Sequence, residues 1–148
     1  MTNSELLNTA DLLRLLREND DFAQALEHGE HAINNPSLVM QLLLHQKESG
    51  LSIAQIADTA MLSQSFAYQI FGGIRNPGRN TLICIACVMH LSLDSVQRLL
   101  TLSQKGELYP RVRRDAAIIF AIEHNYSLIQ MEDLLQKAGE ASILPRQT

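Results

Sequence analysis

Residues 51–73, LSIAQIADTAMLSQSFAYQIFGG, constrain the fold of this chain more than any other stretch. At 100° per residue, the second half of the stretch divides into two opposite arcs, as an amphipathic helix does. The polar arc contains Gln64, Ser65, Tyr68 and Gln69, and the apolar arc contains Phe66, Ala67, Ile70 and Phe71. The first half divides in the same way, with Ile53, Ile56, Ala57 and Ala60 on its apolar side. The pattern predicts two short helices joined by a tight turn, which bury their apolar arcs against each other and against neighbouring helices.

The polar arc of the second helix admits two interpretations. A short helix that is anchored on one side and polar on the other fits the major groove of duplex DNA, where glutamine pairs with adenine through two hydrogen bonds. A surface helix of an all-helical bundle carries the same arc simply because its outer side faces water. Periodicity alone does not separate the two interpretations.

The order of residues from 37 to 95 resembles the phage-repressor (Cro and Xre type) helix-turn-helix domain. The matching positions are Leu51-Ser52, Ile56-Ala57, Leu62-Ser63, Ile70, Gly73, Pro77, Leu82, Ala86 and Leu91-Ser92-Leu93. Their spacing runs through five helices without a gap. The segment YQIFGGIRNP and the later segment YPRVRRDAAIIFAI also resemble regulators of this type that have a helical C-terminal extension.

The resemblance implies an all-α fold with a lambda-repressor-like five-helix helix-turn-helix domain over residues 36–106. An N-terminal helical arm (1–35) precedes this domain, and a C-terminal helical hairpin and tail (107–148) follow it. The implied function is that of a sequence-specific DNA-binding transcriptional regulator, which acts as a homodimer on double-stranded DNA. In this role Gln64, Ser65, Tyr68 and Gln69 would read bases, and Arg75, Arg79 and Gln55 would hold phosphates.

Three positions depart from the pattern of this family. Met61 replaces the usual glycine of the turn, Phe71 replaces a glutamate, and Ile53 replaces a glutamine that commonly contacts phosphate. These departures and the aromatic Tyr68 on the polar arc favour a second class of function. In this class the chain is a protein–protein adaptor that keeps the fold and binds DNA weakly or not at all. A third class is an antitoxin-like or signal-gated repressor, whose C-terminal hairpin receives a protein partner or an effector.

The net charge of −4 also bears on DNA binding, because a DNA-binding surface is expected to be basic. Residues 1–50 contain eight acidic and three basic residues, 51–110 contain three acidic and four basic, and 111–148 contain five of each. The acidity therefore lies mainly in the N-terminal arm. A central region with a net charge of +1 predicts modest phosphate binding and weak non-specific affinity for DNA.

Composition predicts an all-α protein outside the membrane. Proline and glycine are scarce, at 4 and 7 residues, and no strand-length alternation of β-branched and polar residues is present. The longest apolar run, residues 82–89, is far shorter than the ~20 residues that a membrane span needs. The sequence MTNSELLNTADLL has neither a basic start nor a small-residue cleavage site, so we expect no secretory signal and a cytoplasmic protein.

The N-terminal arm contains two predicted helices. Residues 4–18 are amphipathic, and their extra leucines suggest a dimer interface, although packing back onto the body of the protein explains them equally well. Residues 20–31 form the second helix, and the sequence Asn34-Asn35-Pro36 ends the arm. After the central stretch, helices are expected over residues 37–50, 79–90, 92–105 and 111–124.

Residues 79–105 recur as a second copy 35 positions later. The identities are Arg79, Ile83, Ala86, Ser92, Leu93, Leu99 and Leu100, which match Arg114, Ile118, Ala121, Ser127, Leu128, Leu134 and Leu135. The repeat predicts that residues 111–139 form a helical hairpin stacked on the two preceding helices, within one core. The last residues, 140–148, are expected to be a loose end.

Neither a metal site nor a catalytic site is expected. Cys84 and Cys87 lie inside the apolar run ICIACVM and are predicted to be small core residues. The pair His28 and His31 does not have the spacing of a helical zinc site. The sequence contains no pattern typical of a nucleophilic triad or of a Gly-rich phosphate loop, so we expect no enzyme activity and no cofactor.

Arg111, Arg113 and Arg114 stand at the predicted start of a helix, where the helix dipole disfavours cations. Two hypotheses explain these three bases. They contact a phosphate or an acidic partner, or they pair with the acidic N-terminal arm.

Overall fold

The computed structural model describes Arg14, Arg17, Glu18 and residues 36–145, and within these residues the protein is all-α. Residues 36–145 contain seven helices and no strands. They are α1 (Pro36–Ser49), α2 (Ile53–Thr59), α3 (Gln64–Phe71), α4 (Arg79–Val88), α5 (Leu93–Leu102), α6 (Arg113–Glu123) and α7 (Leu128–Lys137). The two helices expected before residue 32, with His28 and His31, lie outside the described residues except for the three isolated positions.

The all-α prediction is confirmed, and the observed helices are slightly shorter than expected. Helix α4 ends two residues before the expected His90, and α5 ends at Leu102 rather than near Lys105. Helix α6 begins at Arg113, so Arg111 precedes the helix. Among the described residues, no helix is both long and apolar enough to cross a lipid bilayer.

Three connections between helices share one backbone arrangement. The connections are residues 61–63, 90–92 and 125–127. In each, the first residue has the left-handed backbone conformation, the second is largely apolar, and the third is a serine that caps the next helix. The first residue has a φ of 61° at Met61, 55° at His90 and 55° at Asn125. At the first connection, the Met61 N–H donates to the Asp58 carbonyl at 3.3 Å and the Leu62 N–H donates to the Ala57 carbonyl at 2.9 Å. These are the two hydrogen bonds of a Schellman motif, which satisfy carbonyls at the end of α2.

The 35-residue repeat is also present in the structure. A shift of 35 positions moves α4 onto residues 114–123, which is α6 without its first residue. The same shift moves α5 onto residues 128–137, which is α7. The corner hydrogen bonds repeat as well, since the Leu91 N–H donates to the Ala86 carbonyl and the Tyr126 N–H donates to the Ala121 carbonyl. Helices α6 and α7 pack against each other, and they contact α5 and α4 respectively. Residues 113–137 are therefore a second copy of the α4–α5 hairpin.

One apolar core runs through all seven helices, with α4 at its centre. Every residue of α4 from 82 to 88 is buried, which explains why this run is apolar all round rather than on one side. Leu108 in the α5–α6 loop is buried too, and its backbone N–H and carbonyl both hydrogen-bond to the Gln97 side chain, at 2.7 and 2.8 Å. The C-terminal hairpin therefore shares its core with the preceding helices.

The prediction that the chain is loose after residue 139 is wrong for residues 140–145. Ile143 is fully buried, and its backbone N–H donates to the Glu132 carboxylate at 3.0 Å. The Arg114 guanidinium donates to the carbonyls of Ala141 and Ser142, at 3.1 and 3.0 Å. Side chains from α6 and α7 thus hold the backbone of this segment, which its own composition does not indicate.

A buried carboxylate links α4 to the C-terminal hairpin. Asp115 accepts two hydrogen bonds from the Arg79 guanidinium, at 3.1 and 3.0 Å, and one from the Tyr109 N–H at 3.0 Å. Arg79 also donates to the carbonyls of Gly106 and Glu107, at 3.0 and 2.9 Å. The four interactions of Arg79 bring the start of α4, the α5–α6 loop and the start of α6 together.

Two carboxylates, Asp115 and Glu132, should make the folded protein less stable as the pH becomes acidic. Burial raises the pKa of Asp115. Hydrogen bonds from Arg79 and the Tyr109 N–H, together with the Arg79 charge, have a larger opposite effect, so the pKa lies below its ordinary value of 3.8. Burial also raises the pKa of Glu132, and hydrogen bonds from Ile143, Ser142 and Gln136 lower it below 4.5. Both carboxyl groups have a lower pKa in the folded protein than in the unfolded chain. The ionised carboxylates therefore stabilise the fold fully when the pH is above their unfolded-state pKa, and this stabilisation is lost as the pH falls through their folded-state pKa.

We therefore expect the urea midpoint of unfolding to be steady near neutral pH and to fall below about pH 4.5. Equilibrium unfolding monitored by circular dichroism at a series of pH values measures this dependence. Asp115→Asn is the matched variant, and its midpoint should fall less steeply with acid. A variant profile parallel to that of the wild type would show that Asp115 does not contribute to the dependence.

Candidate nucleic-acid interface

Helix α3 is held firmly by its apolar side. Ala67, Ile70 and Phe71 are buried, and Phe71 is only 2% exposed. The Ser63 hydroxyl caps the helix by accepting a hydrogen bond from the Phe66 N–H at 3.1 Å. At Phe71, where the resembling family carries a glutamate, this chain therefore places a core residue. The anchoring fixes which side of α3 faces outward.

The four predicted base-reading residues lie on the outward side of α3, which we call the α3 polar face. Gln64, Ser65 and Tyr68 are exposed, with Tyr68 at 52%, and Gln69 is half-buried. Within the described part of the chain, none of these four side chains makes a hydrogen bond. Their hydroxyl and amide groups are therefore available to a ligand outside the chain, as the sequence pattern requires of base-reading residues.

The loop after α3 folds back onto the end of the helix and presents Arg75. The Gln69 carbonyl accepts hydrogen bonds from the N–H groups of Ile74 and Arg75, at 2.9 and 3.1 Å. Gly73 has a φ of +79°, and a Cβ there would lie 3.2 Å from the Val39 side chain in α1, so both backbone and packing favour glycine. Arg75 is exposed, and its guanidinium carbon lies 5.7 Å from the centre of the Phe66 ring. The arginine is thereby positioned beside the α3 polar face.

An open cleft of about 760 Å³ runs between α3, its loop and the start of α4. Ser65, Gln69 and Arg75 share its wall, which brings part of the α3 polar face and the loop arginine together. The other lining residues are Asp58, Met61, Leu62, Ser63, Phe66, Thr81 and Pro145. Sequence reasoning identified neither Thr81 nor Pro145 as part of this region, because Pro145 is separated from α3 by most of the C-terminal half.

Two predicted phosphate contacts have intramolecular roles in the structure. All the hydrogen bonds of Arg79 described above are to Asp115 and to loop carbonyls, so its guanidinium is occupied within the chain. Gln55 belongs to a capping box, in which its Oε1 accepts from the Ser52 N–H at 2.9 Å and its own N–H donates to the Ser52 hydroxyl at 3.1 Å. Arg75 is exposed, and the exposed Gln55 side chain keeps an amide nitrogen that makes no hydrogen bond within the described residues.

The three arginines near the start of α6 do not act as one cluster. Arg113 donates to the Ala138 carbonyl at 3.1 Å and lies 3.8 Å from the Glu140 carboxylate. Arg114 binds the C-terminal segment and also donates to the Asn80 side chain at 3.1 Å. Arg111 is exposed and has no hydrogen bond or ion pair with the described residues. The positive charges of Arg113 and Arg114 thus stabilise the hairpin and the segment that follows it.

Both cysteines are core residues, as the apolar run around them predicts. Burial raises the pKa of the Cys84 thiol to about 12 and that of the Cys87 thiol to about 11. The thiols donate to the carbonyls of Ile143 and Tyr126, at 3.1 and 3.6 Å. Over residues 36–145 and the three isolated positions, no three His, Cys, Asp or Glu side chains are grouped so as to hold a metal ion.

Comparison of the chain with protein-family models, with curated proteins and with solved structures finds no match.

Proposed function

We propose that the chain is a sequence-specific DNA-binding transcriptional regulator of the cytoplasm, with α2 and α3 as its helix-turn-helix. The observation that carries this proposal is the α3 polar face. Its four hydrogen-bonding side chains have no partner among the described residues, and they project from a helix whose opposite side is buried. An α-helix with its side chains is about 10–12 Å in diameter, which matches the ~12 Å width of the major groove.

The α2–α3 turn supports the same proposal. Met61, which stands where the resembling family has glycine, adopts the left-handed conformation that glycine favours, with a φ of 61°. The methionine therefore does not prevent the turn, although a non-glycine residue in this conformation costs roughly 1 kcal/mol. We assign helices α1–α5 to a lambda-repressor-like domain, which would act as a homodimer on two half-sites about one turn of DNA apart.

In the proposed complex, Gln64, Ser65, Tyr68 and Gln69 contact base edges. Arg75 contacts a backbone phosphate beside them, because it is exposed and adjoins the same cleft. Phosphate contacts position a protein on the duplex, and base contacts select the sequence. One arginine beside the α3 polar face of each protomer is consistent with a regulator whose non-specific affinity is weak.

A protein-binding adaptor is the second candidate, because the C-terminal hairpin exposes an aromatic cluster. The ring centres of Phe120 and His124 are 3.9 Å apart, and Tyr126 meets Phe120 edge-on at 5.8 Å. Phe120 and Ile129 are both exposed although they are large and apolar. Such groups are typical of partner-binding surfaces. An antitoxin-like regulator would use both this hairpin and the α3 polar face.

The salt dependence of binding to short duplexes distinguishes the two candidates. For a dimer with one Arg75 contact per protomer, we expect log Kd to vary with log salt with a slope of about 2 in magnitude, because each phosphate contact releases counterions. Fluorescence anisotropy with a labelled 20-base-pair duplex, enriched for binding from a randomised library, measures the slope between about 50 and 200 mM NaCl. Arg75→Ala should lower its magnitude by about 1 per protomer.

Lys105→Ala is the matched control, since Lys105 is exposed in the α5–α6 loop. We expect its slope to equal that of the wild type. An adaptor would show no measurable duplex binding at any of these salt concentrations, and this result would overturn the proposed function.

A further inference from the structure

The chemistry of the α3 polar face restricts which bases it can read. Helix α3, QSFAYQIF, contains no charged residue. Guanine is read most often by arginine or lysine, which donate to its O6 and N7, and cytosine is read by the carboxylates of aspartate or glutamate. None of these side chains is present on α3, so the helix lacks the groups that select a G·C pair.

The residues that are present match an A·T pair instead. The amides of Gln64 and Gln69 each carry an NH₂ group that can donate to N7 of adenine and an oxygen that can accept from its N6 amino group. The Tyr68 ring is half-exposed beside Gln69 and offers an apolar surface to the methyl group of thymine. Ser65 accepts and donates and so suits either pair.

The spacing of the two glutamines sets the spacing of their targets. Gln64 and Gln69 are five positions apart, which corresponds to about 7.5 Å along the helix axis. Successive base pairs are separated by about 3.4 Å, so a helix lying along the groove places the two amides roughly two base pairs apart. Gln64 and Gln69 lie about 140° apart around α3, at the two edges of the arc that the buried Ala67 and Ile70 leave outward, so their amides reach the base edges from opposite flanks of the helix.

We propose that the base pairs beneath α3 in each half-site are A·T pairs, with two adenines roughly two steps apart read by Gln64 and Gln69. This inference rests on the proposed function and adds the chemical class of the target sequence. Among the residues that line the cleft beside α3, Arg75 is the basic side chain that could read guanine. Arg75 belongs to the loop beyond the end of α3, and its guanidinium lies over the Phe66 ring of that helix. In the proposed complex this position faces the DNA backbone.

Selection of bound duplexes from a randomised library, followed by sequencing, tests the inference. Selections with Gln64→Ala and with Gln69→Ala identify the positions at which each variant loses the base preference of the wild type. We expect the wild-type half-site to contain A·T pairs at these positions. In the enriched duplex, 7-deazaadenine in place of either adenine removes the N7 acceptor and should weaken binding roughly 5- to 10-fold. Uracil in place of the thymine near Tyr68 removes the methyl group and should weaken binding by a smaller factor.

The control is 7-deazaadenine at a flanking adenine, which should leave the affinity unchanged. Enriched sites with G·C pairs at the positions released by the glutamine variants would overturn the inference while leaving the proposed function intact. So would a guanine preference that disappears in Arg75→Ala, since the loop arginine would then be the reader. If no duplex from the library is retained, the proposed function fails, and this inference fails with it.

Discussion

Asp115→Ala is expected to lower the free energy of unfolding by about 3 kcal/mol. Breaking a buried ion pair typically costs about 3–5 kcal/mol, because the remaining charge loses its partner inside the protein. The lower end applies here, since the Arg79 side chain is still 27% exposed and keeps two carbonyl acceptors. The variant also leaves the Tyr109 N–H without its acceptor. Urea unfolding at pH 7 measures the change.

The matched control for Asp115→Ala is Asp133→Ala. Asp133 pairs with Lys137 at 2.8 Å, but both side chains are exposed on α7, so water screens the interaction and its loss should change stability little. If both variants lost the same small amount of stability, the link between α4 and the C-terminal hairpin would not contribute to the fold as described.

The double variant Gln64→Ala, Gln69→Ala is expected to weaken binding to the selected DNA site by roughly 30-fold or more, because each two-bond contact to adenine contributes about 1–3 kcal/mol of discrimination. Binding to a duplex of unrelated sequence should barely change, since it depends on phosphate contacts. Competition binding with the two duplexes separates these effects.

Neither glutamine side chain is hydrogen-bonded within residues 36–145, so the double variant should unfold at the same temperature as the wild type. Equal losses on both duplexes would indicate a general loss of affinity. An unchanged preference for the selected site would exclude these two residues from base reading.

Local sequence signals predicted the helices well. Ser52, Ser63, Ser92 and Ser127 each cap a helix in the structure, and each precedes an apolar periodic segment in the sequence. The 35-residue repeat predicted the second hairpin, because matched apolar residues at matched spacing bury the same sides of the same helices. These features depend on neighbouring residues, so a single sequence contains them.

The contacts that the sequence did not indicate join residues that are distant in sequence. Arg79 meets Asp115, 36 positions later, and Ile143 is held by Glu132 and by Arg114. No periodicity or short motif predicts such pairings, so Arg79 looked like a free phosphate contact and the segment after residue 139 looked loose. The capping role of Gln55 is local, but the same residue type serves both helix capping and phosphate binding, so the sequence does not separate the two roles.

The candidate site could be predicted in part. The amphipathic division of α3 assigned Gln64, Ser65, Tyr68 and Gln69 to the exposed side, and burial of Ala67 and Ile70 agrees with that division. The position of Arg75 over Phe66 and the approach of Pro145 to the cleft depend on tertiary packing.

The most direct test is to follow the side-chain amide and backbone signals of ¹⁵N-labelled protein by NMR during titration with a selected duplex. We expect shifts at Gln64, Ser65, Tyr68, Gln69 and Arg75, with the signal of Ile129 on α7 unchanged. Shifts confined to the C-terminal hairpin, or none at saturating duplex, would contradict the assignment of α3 as a DNA-reading helix.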